Sequence, residues 1–195
     1  MRVATYEQGT HRSQRAFVRL TRGLGAELDD VGKASLRRPD FFGRPFLRLA
    51  HALLRGPSAW SAGERELFAA VVSRANSCEF CVGTHGEIAA LELGRDVMTQ
   101  LDAGTFSPRA AAAAAFLEAL TRDPESMSAA DVERATAAGV DHEALAEAIY
   151  VAFFFNAMNR VADALGFEHR SDRDRRRGAQ MLRRRGYRVP AFLLR

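Results

Sequence analysis

The chain has 195 residues, of which 47% are apolar and 27% charged, enough to bury one substantial core. The longest apolar run, Ile149 to Phe155, is far short of the ~20 residues of a membrane span. The N-terminal segment lacks the apolar stretch of a signal peptide, so we expect a soluble, cytoplasmic protein. The net charge of +4 is unevenly distributed, because residues 170–195 hold ten arginines against two aspartates.

Helix signals occur throughout the first half of the chain, and no strand pattern is convincing. Helices are predicted near 13–24, 26–36 and 46–54, the third opened by a first-turn proline and closed by Gly-Pro. Ser61 and Glu64 have the spacing of a capping box, which begins a helix over 62–75. The next helix is predicted from Cys78 to Leu93, with a glycine as its stop signal.

The second half continues this pattern. Ser107-Pro108 opens a helix to about 121, Ser128 caps one over 129–138, and Asp141 caps a long one over 142–165. The long helix is apolar nearly all round, so we expect it to be a buried central helix or to lie at an oligomer interface. It also carries a polar stripe, which we interpret as satisfying its own members or nearby backbone groups, with a ligand role as the alternative: Asn156, Asn159 and Asp163.

The arginine-rich tail is the last predicted element. A short amphipathic helix over about 175–185 could lay its arginine stems on the body of the protein. Basic tails can bind nucleic acid through phosphate contacts, but few aromatic residues lie among these arginines and no recognition helix is evident. We therefore expect a solvated or subunit-contacting helix and no nucleic-acid partner.

The chemistry of the chain centres on its two cysteines. Cys78 and Cys81 stand three residues apart, and His85 follows four residues later. A pair at this spacing can close a disulfide across one helical turn, with His85 one turn beyond Cys81 on the same face. Because a helix N-terminus favours a thiolate, we expect a lowered pKa for Cys81, whose proton His85 could take. Cys78 could then attack an oxidised Cys81.

A second group is needed to orient the histidine and receive its proton. Glu66 lies on the preceding predicted helix, and its carboxylate could reach His85 if the two helices form an antiparallel pair. Glu64 is the weaker candidate because the capping box already uses it.

Other readings of the cysteine pair remain open at this point. A structural zinc site needs four ligands, so Cys78, Cys81 and His85 would require another from His51, His142, His169 or Glu66. A general dithiol oxidoreductase would use the same pair, and so would a non-catalytic redox sensor. The isolated histidines are interpreted as surface residues or as hydrogen-bonded residues of the core: His11, His51, His142 and His169.

The order Glu66, Cys78, Cys81, His85, preceded by Ser-Ala-Gly-Glu-Arg-Glu-Leu from residue 61, resembles the AhpD-like alkylhydroperoxidase group of the carboxymuconolactone decarboxylase superfamily. Residues 154–166 are similar to the peroxidase-related branch of that group. The resemblance implies an all-α, single-domain, AhpD-like helical bundle that forms homo-oligomers: dimers, trimers or hexamers. It covers about 54–168, which leaves 1–53 as an N-terminal helical extension and 169–195 as a basic C-terminal tail.

The same resemblance implies the chemistry. Cys81 would attack a hydroperoxide, Cys78 would resolve the product to a disulfide, and Glu66 with His85 would form a proton relay. No cofactor or metal would be bound, and a dithiol such as a protein-bound lipoamide would reduce the disulfide. Phe80 departs from the pattern, because the best-studied members have a second histidine there. Decarboxylation is disfavoured, since true carboxymuconolactone decarboxylases lack the cysteine pair.

Overall fold

The computed structural model describes residues 2–3, 11–23, 28–94, 97, 99–100, 106–169 and 171–188. These residues contain nine α-helices and no β-strand, which confirms the predicted all-α class. A π-helical turn at Pro39–Gly43 and a 3-10 turn at Pro124–Ser126 lie between them. The helices in chain order are α1 (Arg12–Gly23), α2 (Asp30–Arg37), α3 (Arg44–Arg55), α4 (Ala62–Ala75), α5 (Glu79–Leu93), α6 (Pro108–Arg122), α7 (Ala129–Ala137), α8 (His142–Leu165) and α9 (Asp172–Arg185).

Local capping signals fix most helix boundaries. At the start of α4, Glu64 N donates to Ser61 Oγ at 3.2 Å, and Ser61 N donates to Glu64 Oε2 at 2.8 Å, which completes the predicted capping box. At the start of α8, Ala144 N donates to Asp141 Oδ1 at 2.8 Å. Gly166 ends this helix at φ 66°, in the left-handed region that favours glycine. The predicted bounds of α4 and α8 are therefore confirmed.

The segment before α3 differs from its prediction. Helix α2 begins at Asp30 instead of near residue 26, because Asp29 caps it by accepting from Gly32 N at 2.7 Å. Residues 24–27 lie outside the described part of the chain. Between α2 and α3, where the sequence indicated only a break, the π-helical turn at Pro39–Gly43 continues the helical path.

Helix α4 is the innermost element. Ten of its fourteen residues are buried, and it packs against α3, α5, α6 and α8. Helix α8 is the longest, but it buries only part of its surface, since Tyr150 and Phe153 are 56% and 65% exposed. Helix α4 is therefore buried over more of its surface, while α8 is buried where it contacts α3, α4 and α6 and exposes two aromatic side chains elsewhere.

Helices α4 and α5 form an antiparallel hairpin joined by three residues. Their opposite ends meet where Gly63 packs against Leu93, so closely that a Cβ at residue 63 would lie 2.7 Å from Leu93 Cδ2. The arginine-rich helix α9 packs on the other side of α5. This arrangement brings side chains of α4, α5 and the segment after α9 towards one another.

The domain organisation predicted from the resemblance stays a prediction. Its first boundary, at residue 53, falls inside α3, which contacts both α4 and α8. Among the described residues, no helix combines the length and apolar character needed to cross a membrane.

The position of α4 leads to a stability prediction. Leu67→Ala should lower the free energy of unfolding by about 2–5 kcal/mol, because Leu67 is fully buried and truncation leaves a cavity. The measurement is chemical denaturation followed by circular dichroism. Leu20→Ala is the matched control, since Leu20 is 60% exposed on α1 and should change the value by less than about 0.5 kcal/mol. Equal losses for the two variants would contradict the central placement of α4.

Candidate active site

The two cysteines lie at the turn between α4 and α5. Ser77 takes a left-handed conformation at φ 58°, and Cys78 N then donates to Ser73 O at 2.9 Å. This turn makes Cys78 the N-cap of α5, which begins at Glu79, one residue later than predicted, and Cys81 lies in the first turn. Both are free thiols, and their exposed fractions are 0% and 1%.

The environments of the two sulfurs differ in a way that the sequence did not predict. Hydrogen bonds from the Cys81 thiol and from the Cys81 backbone N–H lower the pKa of Cys78, against the opposing effects of burial and of Asp163. The same thiol-to-thiol hydrogen bond, with burial and the charge of Cys78, raises the pKa of Cys81 well above its usual value. The expected lowering for Cys81 is therefore wrong, because its hydrogen bond to Cys78 and its burial outweigh any effect of the helix N-terminus.

Glu66 and His85 meet across the α4–α5 hairpin, as predicted from the sequence. His85 Nδ1 lies 2.6 Å from Glu66 Oε2. A carboxylate can only accept hydrogen bonds, so Nδ1 carries the ring proton and donates this hydrogen bond to Glu66. This bond fixes which ring nitrogen is protonated in the neutral imidazole, and it leaves Nε2 as the nitrogen that can accept a proton. The imidazole also packs edge-on against Phe155, with ring centroids 4.5 Å apart.

Two further side chains bind Glu66, and neither was predicted. Arg55 Nη1, from the last turn of α3, lies 2.6 Å from Glu66 Oε1. The Tyr187 hydroxyl, just beyond α9, donates to Oε1 at 2.9 Å and lies 3.2 Å from Oε2. Arg55, Glu66, His85 and Tyr187 are called the Glu66 cluster below. Residues so far apart in the chain share no spacing signal, so the sequence did not indicate that these side chains would meet.

The Glu66 cluster determines the charge of its central carboxyl group. Glu66 is fully buried, and burial alone would raise its pKa. The hydrogen bond from His85, the charge of Arg55 and the hydrogen bond from Tyr187 outweigh burial and lower the pKa. Tyr187 shows the opposite response, since burial and the negative charge of Glu66 raise its pKa well above the usual value. Glu66 is thus an anion and Tyr187 a neutral donor at neutral pH.

The asparagines of α8 hold the turn that carries the cysteines. Asn76 Nδ2 donates to Asn156 Oδ1 at 2.9 Å and to Asn159 Oδ1 at 3.0 Å. Asn159, which is fully buried, in turn donates to Ser73 Oγ at 3.0 Å. The two asparagines of the stripe are thus hydrogen-bonded to side chains at the end of α4, and not to one another or to backbone groups as interpreted from the sequence. Asp163 instead acts on the thiols, by raising the pKa of Cys78.

A cavity of about 640 Å³ lies beside α5, on the side where Glu79, Gly83 and Glu87 line it. Phe80, between the two cysteines, reaches this cavity and stacks on His169 with ring centroids 4.5 Å apart. His169 Nε2 donates to the Phe80 carbonyl at 3.0 Å. His169 is therefore a hydrogen-bonded residue, as interpreted from the sequence. In the described part of the chain, no three His, Cys, Asp or Glu side chains are placed to hold a metal ion together.

The buried Glu66 leads to a prediction about acid stability. Its pKa is lower in the folded than in the unfolded chain, so its stabilising contribution is complete above roughly pH 4.3 and is lost as the pH falls through the folded-state value. Glu66→Gln should lower the free energy of unfolding at pH 7 by about 3 kcal/mol, because it leaves Arg55 uncompensated. It should also flatten the decline of stability at acid pH, measured by denaturation at a series of pH values. Glu143→Gln, exposed on α8, is the control and should follow the wild-type curve. Parallel curves for Glu66→Gln and wild type would contradict this assignment.

Comparison with known proteins agrees with this architecture. Residues 41–119, which include Glu66, both cysteines and His85, match the carboxymuconolactone decarboxylase family. A structure described as the alkylhydroperoxidase AhpD core, from an uncharacterized peroxidase-related protein of Ralstonia eutropha JMP134, superposes with a TM-score of 0.70 and 24% identity over 87% of this chain and 90% of that one. An uncharacterized peroxidase-related protein from Silicibacter sp. TM1040 gives a TM-score of 0.69 and 23% identity over 81% and 85%.

At these identities the two structures establish the fold, and the sequence match shows that residues 41–119, which carry the motif, are similar to that family. A comparison with curated proteins found no significant match. Residues 41–119 are therefore similar to the carboxymuconolactone decarboxylase family, and the chain has the all-helical fold of the two peroxidase-related structures.

Proposed function

We propose that the protein is a thiol-dependent hydroperoxide reductase. The observation that carries the proposal is the buried 2.6 Å hydrogen bond between Glu66 and His85, on the helix turn next to Cys81 of a free CxxC pair. Such an arrangement provides a nucleophile, a base one helical turn away and a group that orients the base. The peroxidase-related fold supports the same reaction class.

In the first step, Cys81 is the attacking thiol. Burial and the neighbouring Cys78 keep Cys81 protonated, so it needs a base, and His85 Nε2 is available because Nδ1 donates to Glu66. The thiolate formed attacks the outer oxygen of the hydroperoxide and the O–O bond breaks. The sulfur becomes a sulfenic acid, while the departing alkoxide takes the proton from His85 and leaves as an alcohol.

Cys78 then resolves the sulfenic acid. The lowered pKa of Cys78 favours loss of its proton, and the thiolate then attacks the Cys81 sulfur and forms the disulfide. The displaced hydroxide takes a proton and leaves as water. A dithiol reductant, such as a protein-bound lipoamide, would return the pair to free thiols by two thiol–disulfide exchanges. Phe80 makes the surface beside the pair more apolar than a histidine would, which affects the choice of reductant.

A general dithiol oxidoreductase is the second candidate. The observation that favours it is the placement of Cys78 at the N-cap of α5, where its lowered pKa suits direct attack on a disulfide. In that reaction Cys78 would be the nucleophile and Cys81 the resolving thiol. Glu66 and His85 would then assist exchange instead of peroxide reduction, so the two candidates assign opposite roles to the two cysteines.

We also propose that the protein acts in the cytoplasm as a homo-oligomer. A reducing compartment keeps an unpaired CxxC in the dithiol state that peroxide reduction needs. The exposed aromatic side chains of Tyr150 and Phe153 on α8 give that helix an apolar outer surface of the kind that subunits bury against each other.

Turnover with tert-butyl hydroperoxide and dihydrolipoamide tests the proposed function. Wild type should consume the peroxide catalytically, and Cys81→Ser should fall to the rate of the free dithiol. His85→Gln should lose about 10²-fold or more, because it removes the base. His142→Gln, at an exposed position on α8, is the control and should retain full activity.

Equal and uncatalysed rates for wild type and Cys81→Ser would contradict the peroxidase proposal. If the same wild-type protein reduced a model disulfide, and only Cys78→Ser abolished that activity, the dithiol oxidoreductase would be the correct function.

A further inference from the structure

The Glu66 carboxylate has more partners than the sequence motif supplies. We propose that Arg55 and Tyr187 are positioning residues that neutralise and orient Glu66, so that His85 serves as a neutral base with its proton on Nδ1. This inference rests on the proposed function for its role in turnover, but not for its test. It concerns two residues outside the CxxC motif, one on α3 and one beyond the basic helix α9.

Glu66 carries a negative charge in the interior of the protein. A carboxylate that is fully buried needs a compensating cation, and two side chains within 2.6 Å could provide it. An arginine stays protonated at any ordinary pH, whereas a histidine does not need to be charged to donate a hydrogen bond. Arg55 therefore supplies the permanent counter-charge. With Arg55 present, His85 can donate Nδ1–H to Glu66 as a neutral ring and keep Nε2 for the thiol proton.

The surroundings of Arg55 support this assignment. Its side chain is only 12% exposed, and its Nε and Nη2 atoms are buried with no hydrogen-bond partner among the described residues. Burying such a guanidinium costs free energy of hydration, so a compensating interaction has to hold it there. Its partners are the Glu66 carboxylate, the Leu54 carbonyl at 2.8 Å and the face of the Tyr187 ring, 5.4 Å from Cζ to centroid.

Tyr187 contributes orientation. Its hydroxyl bridges both carboxylate oxygens and lies 3.4 Å from His85 Nδ1. Its ring lies nearly parallel to the imidazole, at 17° with centroids 6.4 Å apart. Because the hydroxyl donates to Glu66, it withdraws part of the negative charge that would otherwise attract a second proton to His85. Tyr187 thus limits both the rotation of the carboxylate and the proton affinity of the imidazole.

The packing of the basic tail positions Tyr187 beside Glu66. Helix α9 lies along α5, where Arg175 and Arg176 approach Glu87 at 3.6 and 3.8 Å and Arg183 approaches Glu92 at 3.8 Å. Gly186 then turns the chain at φ 62°, so close to His51 that a Cβ would lie 2.7 Å from its ring. The arginine-rich segment, interpreted from the sequence as solvated or subunit-contacting, therefore completes the Glu66 cluster within its own chain.

Other charged and titratable groups also face the Glu66 cluster. Arg65 on α4 interacts with both Arg55 and Glu66, and the Cys81 thiol on α5 interacts with Tyr187. His51 on α3 lies beside Arg55 and accepts from Arg188 Nε at 3.0 Å. None of these binds the Glu66 carboxylate directly through a described hydrogen bond, so Arg55 and Tyr187 are the residues to test.

The test is ¹⁵N NMR of the His85 ring as a function of pH in the reduced, full-length protein without peroxide. In wild type the neutral ring should carry its proton on Nδ1. Tyr187→Phe keeps both ring contacts and removes only the hydroxyl, so protonation of His85 should move to higher pH by about 0.5 unit, a roughly three-fold change in proton affinity. Arg55→Gln should move it in the same direction by about one unit or more, a tenfold change.

Tyr150→Phe removes an exposed phenol hydroxyl from α8 and should titrate as wild type does. If Arg55→Gln does not fold, the double variant Arg55→Gln/Glu66→Gln replaces the ion pair by neutral groups and should regain folding. Failure of the double variant to do so would show that Arg55 is required for packing and not as a counter-charge.

A proton on Nε2 of the neutral ring in wild type, or no shift in Tyr187→Phe, would overturn the inference. The peroxidase proposal has a separate readout, because the acid limb of its turnover-versus-pH profile should move upward with the NMR shift. An NMR shift in a protein that consumes no peroxide would leave the positioning role intact and remove only the proposed reaction.

Discussion

A carboxylate with none of its side chain exposed loses hydration worth several kcal/mol, and Glu66 on the innermost helix is such a group. Three side chains offset this loss of hydration: Arg55 on α3, His85 on α5 and Tyr187, two residues after α9. These elements reach Glu66 only when the helices are packed as observed. The charge of one side chain therefore links the helical fold to the protonation state of the histidine beside the cysteines.

The two neighbouring cysteines differ in the direction of their pKa shifts. Hydrogen bonds from the Cys81 thiol and the Cys81 backbone N–H lower the pKa of Cys78, while the bond to Cys78 and burial keep Cys81 protonated. A buried, protonated thiol is a poor nucleophile unless a base removes its proton. The Glu66–His85 bond places such a base one turn away, which is why the proposed mechanism assigns attack to Cys81 and resolution to Cys78.

The sequence predicted the parts of this structure that depend on local signals. The bounds of α4 and α8 follow from caps and terminal glycines, and the meeting of Glu66 with His85 follows from their places on consecutive helices. Tyr187 could not be predicted, because its bond to Glu66 spans 121 positions and has no periodic signal. The raised pKa of Cys81 also escaped prediction, since it depends on burial and on a hydrogen bond between side chains.

The most direct test of the central claim is mass spectrometry of the reduced protein after one equivalent of a hydroperoxide, quenched at intervals with a sulfenic-acid trap. We expect a trapped sulfenic acid on Cys81. In wild type a Cys78–Cys81 disulfide should replace it, whereas in Cys78→Ser the sulfenic acid should persist. A sulfenic acid that forms first on Cys78, or oxidation of Cys81 no faster than that of a free thiol, would contradict this expectation.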